Sequence, residues 1–362
     1  MRIRLIGQRN TTGIGIHYAC FADALKRRRG LPYEIEEIDA WNPEAMQVAV
    51  ASSQPTDVNV CFMGASIHLG FQGHNIQWTV FETTVIPSVQ LEVLKHSDSV
   101  WVPSLWGQQV LINNGIPTDR VTIVPEGVDP DQFYPVNRPR APGVPFRYVF
   151  NGKYEDRKSC RELVEAWARA YGNNPDVQLI IKSGYFKESN KFQELQDHVN
   201  GLGLANVGMI WGYLAPDQLA ELYASADVFV FPSKGEGWGL PLIEAAAMGI
   251  PLITTFYSAQ CDYLGAMINS CVFVDYDLKP VGCDEFKSYN PQPSGDWGTW
   301  AWPRVDSLAQ ALIRARAAYP HLSQNAHDNS VKLRQQWSWS RTVDHAVAAI
   351  DSVVKKQQNK QP

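Results

Sequence analysis

The sequence is poor in the features that mark several specialised classes of protein. Charged residues make up only 19% of its 362 positions, and the formal net charge is −5. A general nucleic-acid binder usually carries a basic face, so this charge balance argues against one. The six cysteines are scattered, without a Cys-x-x-Cys pair. Their spacing argues against a disulfide framework or a zinc site and favours a reducing compartment.

Long apolar runs, internal repeats and low-complexity segments are also lacking in this sequence. No run reaches the length that spans a membrane, and the first residues, Met1 to Gly7, lack the long apolar core of a signal peptide. We therefore expect a cytoplasmic protein, with a peripheral contact at a membrane left open as an alternative. The chain is long enough for two domains, and its 45% hydrophobic residues are enough to bury a core.

The stretch Phe231 to Gly249 has the pattern of a strand, a glycine-rich loop and a helix. The apolar run Asp227 to Phe231 predicts a buried strand. Three glycines between residues 235 and 239 let the backbone come close to a ligand. Pro241 suits the first turn of a helix, and the glycine at 249 suits its C-terminal cap. The start of such a helix offers unpaired N–H groups and a positive dipole end, which favour a phosphate.

Two glutamates, Glu236 and Glu244, frame this loop with seven residues between them. A carboxylate in the first helical turn, such as that of Glu244, is stabilised by the helix dipole and can accept two hydrogen bonds from a vicinal diol. Taken alone, each glutamate reads equally well as a solvated charge. The full string resembles the Glu-x7-Glu signature of retaining glycosyltransferases of family four, which have the GT-B fold.

The resemblance implies an α/β protein with two Rossmann-like, doubly wound domains that face each other across a cleft. Residues 1–138 would form an acceptor-side domain and residues 139–337 a nucleotide-sugar-binding domain. Residues 338–362 would form a tail helix that crosses back to the first domain. The boundary falls in the stretch Pro130 to Pro145, whose five prolines stiffen a connector and stop regular structure.

The implied reaction moves a sugar from a nucleotide-diphosphate sugar, a GDP- or UDP-sugar, to an acceptor hydroxyl with retained configuration. The acceptor would be a glycan, a lipid-linked glycan or a small molecule, and no metal or other cofactor is expected. Glu244 would hold the ribose, Glu236 would contact the donor sugar, and Gly212 would border the base. The diphosphate would be held by three cations and four residues of the glycine loop: Lys153, Arg157, Lys158, Gly237, Trp238, Gly239 and Leu240. Lys153 departs from the family pattern, which has arginine there, and so loses the bidentate fork of a guanidinium.

A second glycine turn lies near the start of the chain. It holds Gly13 and Gly15 after a predicted strand at Ile3 to Ile6 and opens a predicted helix. Strand, turn and helix in this order begin a doubly wound sheet. The dinucleotide fingerprint is incomplete, because Tyr18 occupies the third glycine position. The resemblance implies that this turn faces the donor diphosphate and the acceptor.

Two further candidates follow predicted buried strands of the first half. His68 comes after the strand predicted at Asp57 to Met63, and Glu82 comes after the strand predicted at Trp78 to Phe81. Ligands bind at the carboxyl ends of strands in doubly wound folds, and a carboxylate beside a buried strand needs a partner. By resemblance these two residues would line the acceptor side and, with Glu236, make up the catalytic candidates.

Three alternatives remain open from the sequence. Asp275-Tyr-Asp277 follows an apolar strand and could hold a metal ion, as in the GT-A glycosyltransferases. A sugar-nucleotide epimerase has the same two-domain architecture as GT-B transferases. A non-catalytic carbohydrate-binding protein could use the twelve tryptophans to stack on sugars. Several of these tryptophans lie in Lys279 to Arg304, which is predicted to be an irregular insertion, either a packed surface loop or a lid.

Overall fold

The computed structural model describes residues 1–62, 70–136, 143–184, 190–282, 292 and 294–358. The chain divides into two compact units. The first comprises Met1–Gly127, Asp284–Gly298 and Trp337–Pro362, and the second comprises Val128–Cys283 and Thr299–Gln336. The division after Gly127 lies earlier in the chain than the boundary predicted at residue 138. The connector joins the second unit because Phe133 is buried there, with its ring 6.0 Å from that of Tyr223.

The first unit is a doubly wound sheet of parallel strands with helices between them. Its elements are β1 Arg2–Gly7, α1 Gly13–Arg27, β2 Glu34–Asp39, α2 Pro43–Ala51, β3 Val58–Cys61, β4 His74–Trp78, α3 Ser88–His96, β5 Ser99–Val102, α4 Leu105–Asn113 and β6 Val121–Ile123. The described strands form the order β2-β1-β3-β4-β5-β6. The strand order reverses between β1 and β3, so a ligand of this sheet is expected at the ends of these two strands.

The strand β4 is shifted from its predicted position. The sequence predicted a strand at Trp78 to Phe81, whereas β4 spans His74–Trp78 and pairs with β3 and β5. The prediction was wrong because this strand is rich in polar residues that find partners inside the sheet. His74 Nε2, for example, lies 2.8 Å from Ser99 Oγ. Glu82 therefore lies beyond the end of β4 rather than directly after it.

The edge strand β2 and the following helix α2 were not predicted, because four of the six residues of the strand are acidic and only Ile35 and Ile38 are apolar. Its Glu36 carboxylate accepts a 2.9 Å hydrogen bond from Nε of Arg4, which is fully buried in β1. Arg4 also donates to the carbonyl of Ala49 at 2.8 Å. A buried guanidinium needs such partners, so the glutamates of β2 stabilise the strand that they flank.

The second unit holds the other doubly wound sheet and a separate hairpin. Its elements are β7 Phe146–Asn151, α5 Cys160–Ala170, β8 Val177–Ser183, α6 Asn190–Gly201, β9 Val207–Trp211, α7 Pro216–Ala224, β10 Val228–Phe231, α8 Leu240–Ala247, β11 Leu252–Thr255, α9 Cys261–Leu264, β12 Cys271–Val274, β13 Tyr276–Pro280, β14 Thr299–Pro303, α10 Val305–Ala317 and α11 Tyr319–Gln336. The described strands of the parallel sheet follow the order β12-β11-β10-β7-β8-β9. The strand order reverses between β7 and β10, which makes their carboxyl ends the expected ligand site.

The insertion predicted to be irregular at Lys279 to Arg304 contains regular structure. Strands β13 and β14 pair antiparallel, with Asp277 opposite Trp302 and Lys279 opposite Trp300. The prediction was wrong because the two strands are separated by a long segment, so no short turn marks them as a hairpin. Trp300 is fully buried, which explains part of the tryptophan content of this region.

The last described helix, α12 Trp339–Gln358, belongs to the first unit. Trp339 stacks on His17 of α1 at a ring distance of 5.6 Å, and Asp344 pairs with Arg28. A Cβ on Gly127 would lie 2.4 Å from the backbone nitrogen of Trp339, so only glycine allows this close approach. The predicted α/β architecture with two doubly wound, Rossmann-like sheets and a C-terminal helical region is confirmed.

Candidate active site

The glycine loop lies at the reversal point of the second sheet, between β10 and α8. Gly239 directly precedes the helix with φ of 92°, a left-handed conformation that favours glycine. Tyr263 donates its hydroxyl to the carbonyls of Trp238 and Gly239 at 3.1 and 3.3 Å. The predicted strand, glycine loop and helix are thus formed, and buried contacts fix the loop. Pro241 and Leu240 occupy the first turn of the helix.

The Glu236 carboxylate is buried and receives three hydrogen bonds at one oxygen. Oε1 accepts from Arg157 Nη1 at 2.8 Å, from Lys158 Nζ at 2.6 Å and from Ser233 Oγ. Burial alone would raise the pKa of Glu236, but the charges of Lys158 and Arg157 offset this and hold the pKa below its usual value. The carboxylate is therefore ionised and presented inside a cationic site. The backbone nitrogen of Glu236 donates to Ser258 Oγ at 2.8 Å, a contact that the sequence did not predict.

The cations of this site lie on a short turn after β7. Arg157 and Lys158 end a 3-10 turn and are both buried, and the Lys158 ammonium lies 4.9 Å from the centre of the Phe231 ring. The next residue, Ser159, has φ of 55°, a left-handed conformation that is rare for a residue other than glycine. Lys153 differs, because its side chain is 42% exposed and pairs with Glu155 at 3.4 Å. The structure thus places two of the three predicted cations on Glu236 and the third at the surface.

Glu244 lies on α8 and forms a second polar cluster at the same edge of the sheet. Its Oε2 accepts from the Tyr223 hydroxyl at 2.9 Å, and that hydroxyl accepts from Asn151 Nδ2 at 2.6 Å. Burial raises the pKa of Glu244 to about 8, although the Tyr223 bond and the charge of Lys182 act in the opposite direction. Glu244 as a whole residue is half-buried. Tyr223 and Asn151 were not predicted. Asn151 ends a strand and could have been considered, whereas nothing in the sequence marks Tyr223 on α7.

Gly212 lies on the same sheet, directly after β9. Its φ is 104°, and a Cβ on Gly184 after β8 would lie 3.5 Å from its Cα. Tyr213, the next residue, is exposed. This close pair of glycines leaves the ends of β8 and β9 without bulky side chains at this point.

The glycine turn of the first unit has two glycines with different surroundings. Thr12 caps α1 by accepting from the nitrogen of Gly15 at 3.0 Å. A Cβ on Gly15 would lie 2.1 Å from Asn10 Oδ1, whereas a Cβ on Gly13 would have no atom within 4 Å. Gly15 is therefore required by the packing of the turn, and Gly13 faces open space.

The other candidates of the first unit are less well defined. Glu82 is partly buried in the segment after β4, and His68 lies outside the described residues. His17 was not singled out from the sequence, yet burial lowers its pKa to about 3. Its Nδ1 lies 3.4 Å from the Glu126 carboxylate, and its ring packs edge-on against Trp78 at 4.4 Å. These contacts make His17 a neutral residue of the core.

The aspartates that could have indicated a metal site have other partners. Asp277 Oδ1 accepts from Arg304 at 2.6 and 3.0 Å, and Asp275 Oδ2 accepts from Ser307 at 3.2 Å. Within the described part of the chain, no group of three or more His, Cys, Asp or Glu residues is arranged to hold a metal ion. The GT-A alternative is wrong in its fold, because both units are doubly wound parallel sheets.

Comparison with known proteins shows which proteins this chain resembles. Residues 137–279 match the family model of the glycosyl transferases group 1. A curated relative, the mannosylfructose-phosphate synthase of Agrobacterium fabrum, is 26% identical over 257 residues, which cover 65% of this chain and 57% of that protein. The chain spans about half the length of the curated relatives that it matches.

Solved structures extend the likeness to the whole chain. A sucrose-phosphate synthase from Thermosynechococcus elongatus superposes with a TM-score of 0.72 at 17% identity, covering 98% of this chain and all of that one. Anabaena HepE in complex with UDP-glucose superposes with a TM-score of 0.71 at 14% identity, covering 97% of this chain and all of that one. The chain therefore has the GT-B fold, and its residues 137–279 are similar to the group 1 glycosyl transferases. No described helix has the length and apolar character needed to cross a membrane.

Proposed function

We propose that this chain is a glycosyltransferase that moves a sugar from a nucleotide-diphosphate sugar to an acceptor hydroxyl and retains the anomeric configuration. The observation that carries the proposal is the buried Glu236 carboxylate held by Arg157 and Lys158 at the reversal point of the second sheet. Nucleotides bind at such points in doubly wound folds. Cations beside the N-terminus of a helix suit a diphosphate. The similar fold of HepE, which was solved with UDP-glucose, supports this choice of ligand.

The leaving group would be stabilised from two sides. Arg157 and Lys158 supply positive charge, and the backbone amides of residues 237–240 supply fixed dipoles from the start of α8. These groups act where negative charge develops as the bond to the sugar breaks, and they need little rearrangement because the loop is already held. Lys153 would add a weaker, surface contribution. In the free protein Glu236 balances the cations, so a bound diphosphate would share them with this carboxylate.

The remaining candidates divide between donor and acceptor. Glu244 would hold the ribose through a charge-assisted pair of hydrogen bonds, and Gly212 would leave room for the base. Glu236 would contact the donor sugar, and the departing phosphate would take the proton of the acceptor hydroxyl. We assign the acceptor side to His68 and Glu82. The Gly13 turn, with Gly15 as its packed partner, would contribute to binding of the donor diphosphate.

The donor is a UDP- or GDP-sugar in this proposal, and the acceptor is a carbohydrate or a lipid-linked carbohydrate. The reaction needs no metal ion and should proceed in EDTA. A cytoplasmic location with a peripheral contact at a membrane is part of the same proposal.

A thermal-shift panel of UDP-, GDP- and ADP-sugars tests the donor. A ligand present at about 100 times its Kd stabilises the folded state by about 2.7 kcal/mol, which gives a clear rise in Tm. The matching nucleoside monophosphates serve as controls, because they lack the second phosphate that Arg157 and Lys158 would bind. The donor that shifts Tm is then incubated with acceptors, and release of the nucleoside diphosphate is measured.

The outcomes separate the remaining functions. No shift with any nucleotide sugar would contradict the proposal. An epimerised sugar formed without acceptor would identify an epimerase of the same fold. Binding of glycan without release of nucleoside diphosphate would identify a carbohydrate-binding protein.

A further inference from the structure

Lys234 is a fully buried cation that the sequence analysis did not single out. Its ammonium lies 2.7 Å from Asp156 Oδ1 and 2.8 Å from Glu162 Oε1. It also lies 3.5 Å from the centre of the Trp302 ring. A buried ammonium loses its hydration, and here two carboxylates and an aromatic face replace that hydration.

The main chain of Lys234 connects two further segments to the glycine loop. Its nitrogen donates to the carbonyl of Arg157 at 2.8 Å, and its carbonyl accepts from the nitrogen of Ala301 in β14 at 2.8 Å. The residue therefore joins the cationic turn after β7, the glycine loop after β10 and the hairpin. A buried ion pair is a means of fixing one arrangement of segments, even where it adds little net stability.

The two carboxylates that pair with Lys234 belong to the segment that carries the cations of the candidate active site. Asp156 directly precedes Arg157 and Lys158, and Glu162 lies in the first turn of α5. Without a partner, these carboxylates would attract the nearby cations and repel a diphosphate. Both electrostatic interactions are strong because the site is poorly solvated. Lys234 pairs with both of them.

We propose that Lys234 is a positioning residue for the donor diphosphate. It binds Asp156 and Glu162 and so fixes the turn that carries Arg157 and Lys158, both of which donate to Glu236. The choice of ligand rests on the proposed function. The positioning itself rests on the contacts of Lys234 alone.

The test compares a variant that removes only the charge of Lys234 with a variant that also removes the charges of its two carboxylate partners. In Lys234→Met, both carboxylates lose their partner, and we expect the affinity for UDP or GDP to fall about tenfold or more. In the triple variant Lys234→Met/Asp156→Asn/Glu162→Gln the unpaired charges are gone, and most of the affinity should return. The matched control is Lys279→Met, which removes an exposed lysine of the same hairpin and should change nothing.

Calorimetry with UDP and GDP gives the affinities, and hydrogen exchange of residues 155–160 reports the turn independently of any nucleotide. Wild-type affinity in Lys234→Met would overturn the proposal. A loss that the triple variant does not recover would also overturn it, because lost packing alone would then explain the effect. If Lys234→Met does not fold, Lys234→Met/Glu162→Gln replaces it. That variant leaves only the partly exposed Asp156 unpaired, and it should bind more weakly than the triple variant.

If the wild-type protein binds neither UDP nor GDP, the proposed function is wrong. The role of Lys234 is then tested by hydrogen exchange of residues 155–160 alone. Faster exchange of the turn in Lys234→Met, restored in the triple variant, supports the positioning role. Unchanged exchange overturns it.

Discussion

Replacing Glu244 with glutamine should stabilise the fold at alkaline pH and weaken nucleotide binding. Burial raises the pKa of this carboxyl from its ordinary value of 4.5 to about 8. Ionising Glu244 in the free protein is therefore unfavourable. If the ribose hydroxyls bind the ionised carboxylate, the free energy of binding must offset the cost of this ionisation. Glutamine keeps an acceptor for the Tyr223 hydroxyl but has no proton to lose.

The magnitude follows from the displacement of the pKa. At about 1.4 kcal/mol per pKa unit, a rise from 4.5 to about 8 corresponds to about 5 kcal/mol. Because Glu244 keeps some access to solvent, screening reduces this, and we expect ~2–3 kcal/mol. The direction in which the free energy of unfolding changes with pH depends on how many protons the folded and unfolded chains bind. Between pH ~4.5 and ~8 the folded chain holds a proton that the unfolded chain has lost, so the free energy of unfolding falls as pH rises. The glutamine variant should lack this fall.

Urea unfolding of both proteins between pH 5 and 8.5 measures the difference. The two should have similar stability near pH 5 and diverge as pH rises, with the variant more stable by ~2–3 kcal/mol at pH 8.5. Glu221→Gln, which changes an exposed carboxylate on α7, is the control and should show no such divergence. If the difference in stability between the two proteins is the same at every pH in this range, burial does not raise the pKa of Glu244 as described.

Nucleotide affinity gives the second half of the same prediction. Losing a charge-assisted pair to the ribose should weaken binding by about 1.5–3 kcal/mol, or about tenfold to a hundredfold. In wild type, affinity should also rise with pH towards about 8, because the ionised form binds. A folded Glu244→Gln variant with unchanged affinity for the nucleotide sugar would remove Glu244 from the ribose site.

Two further predictions concern pairs of neighbouring residues. Lys158→Ala should lower kcat far more than Lys153→Ala, because Lys158 is buried against Glu236 and Lys153 is 42% exposed. If the two variants have equal turnover, Lys158 does not have the proposed role at the diphosphate. Gly15→Ala should lower stability by about 1–3 kcal/mol through its clash with Asn10, whereas Gly13→Ala should change it by less than ~0.5 kcal/mol. Urea unfolding measures both, and an unaffected Gly15→Ala protein would contradict the packing described for this turn.

The sequence located the glycine loop because its signals are local. Glycine, proline and a continuous apolar run act on their own neighbours in the chain, so the strand, loop and helix around Glu236 could be predicted. Strand β4 and strand β2 were placed wrongly or missed because their polar side chains are satisfied by residues distant in sequence, such as Ser99 for His74 and Arg4 for Glu36.

The partners of the two glutamates were harder to predict for the same reason. Tyr223 reaches Glu244 from another helix, and Ser258 reaches Glu236 from the loop after β11. Nothing near these residues in the sequence marks them. Lys234 lies within the predicted loop, but its burial depends on Trp302, far along the chain. Motifs therefore give the candidate site residues, and long-range packing decides which of them are held in place.

The position of α12 has a consequence for how the protein is made. The first unit contains both Met1–Gly127 and Trp337–Pro362, so the ribosome releases its last helix only after the second unit has been synthesised. Until then, the surface of α1 around His17 lacks Trp339. Domains generally fold in the order of their synthesis, but here the second unit can complete its packing first. The first unit therefore completes its packing last, although it begins the chain.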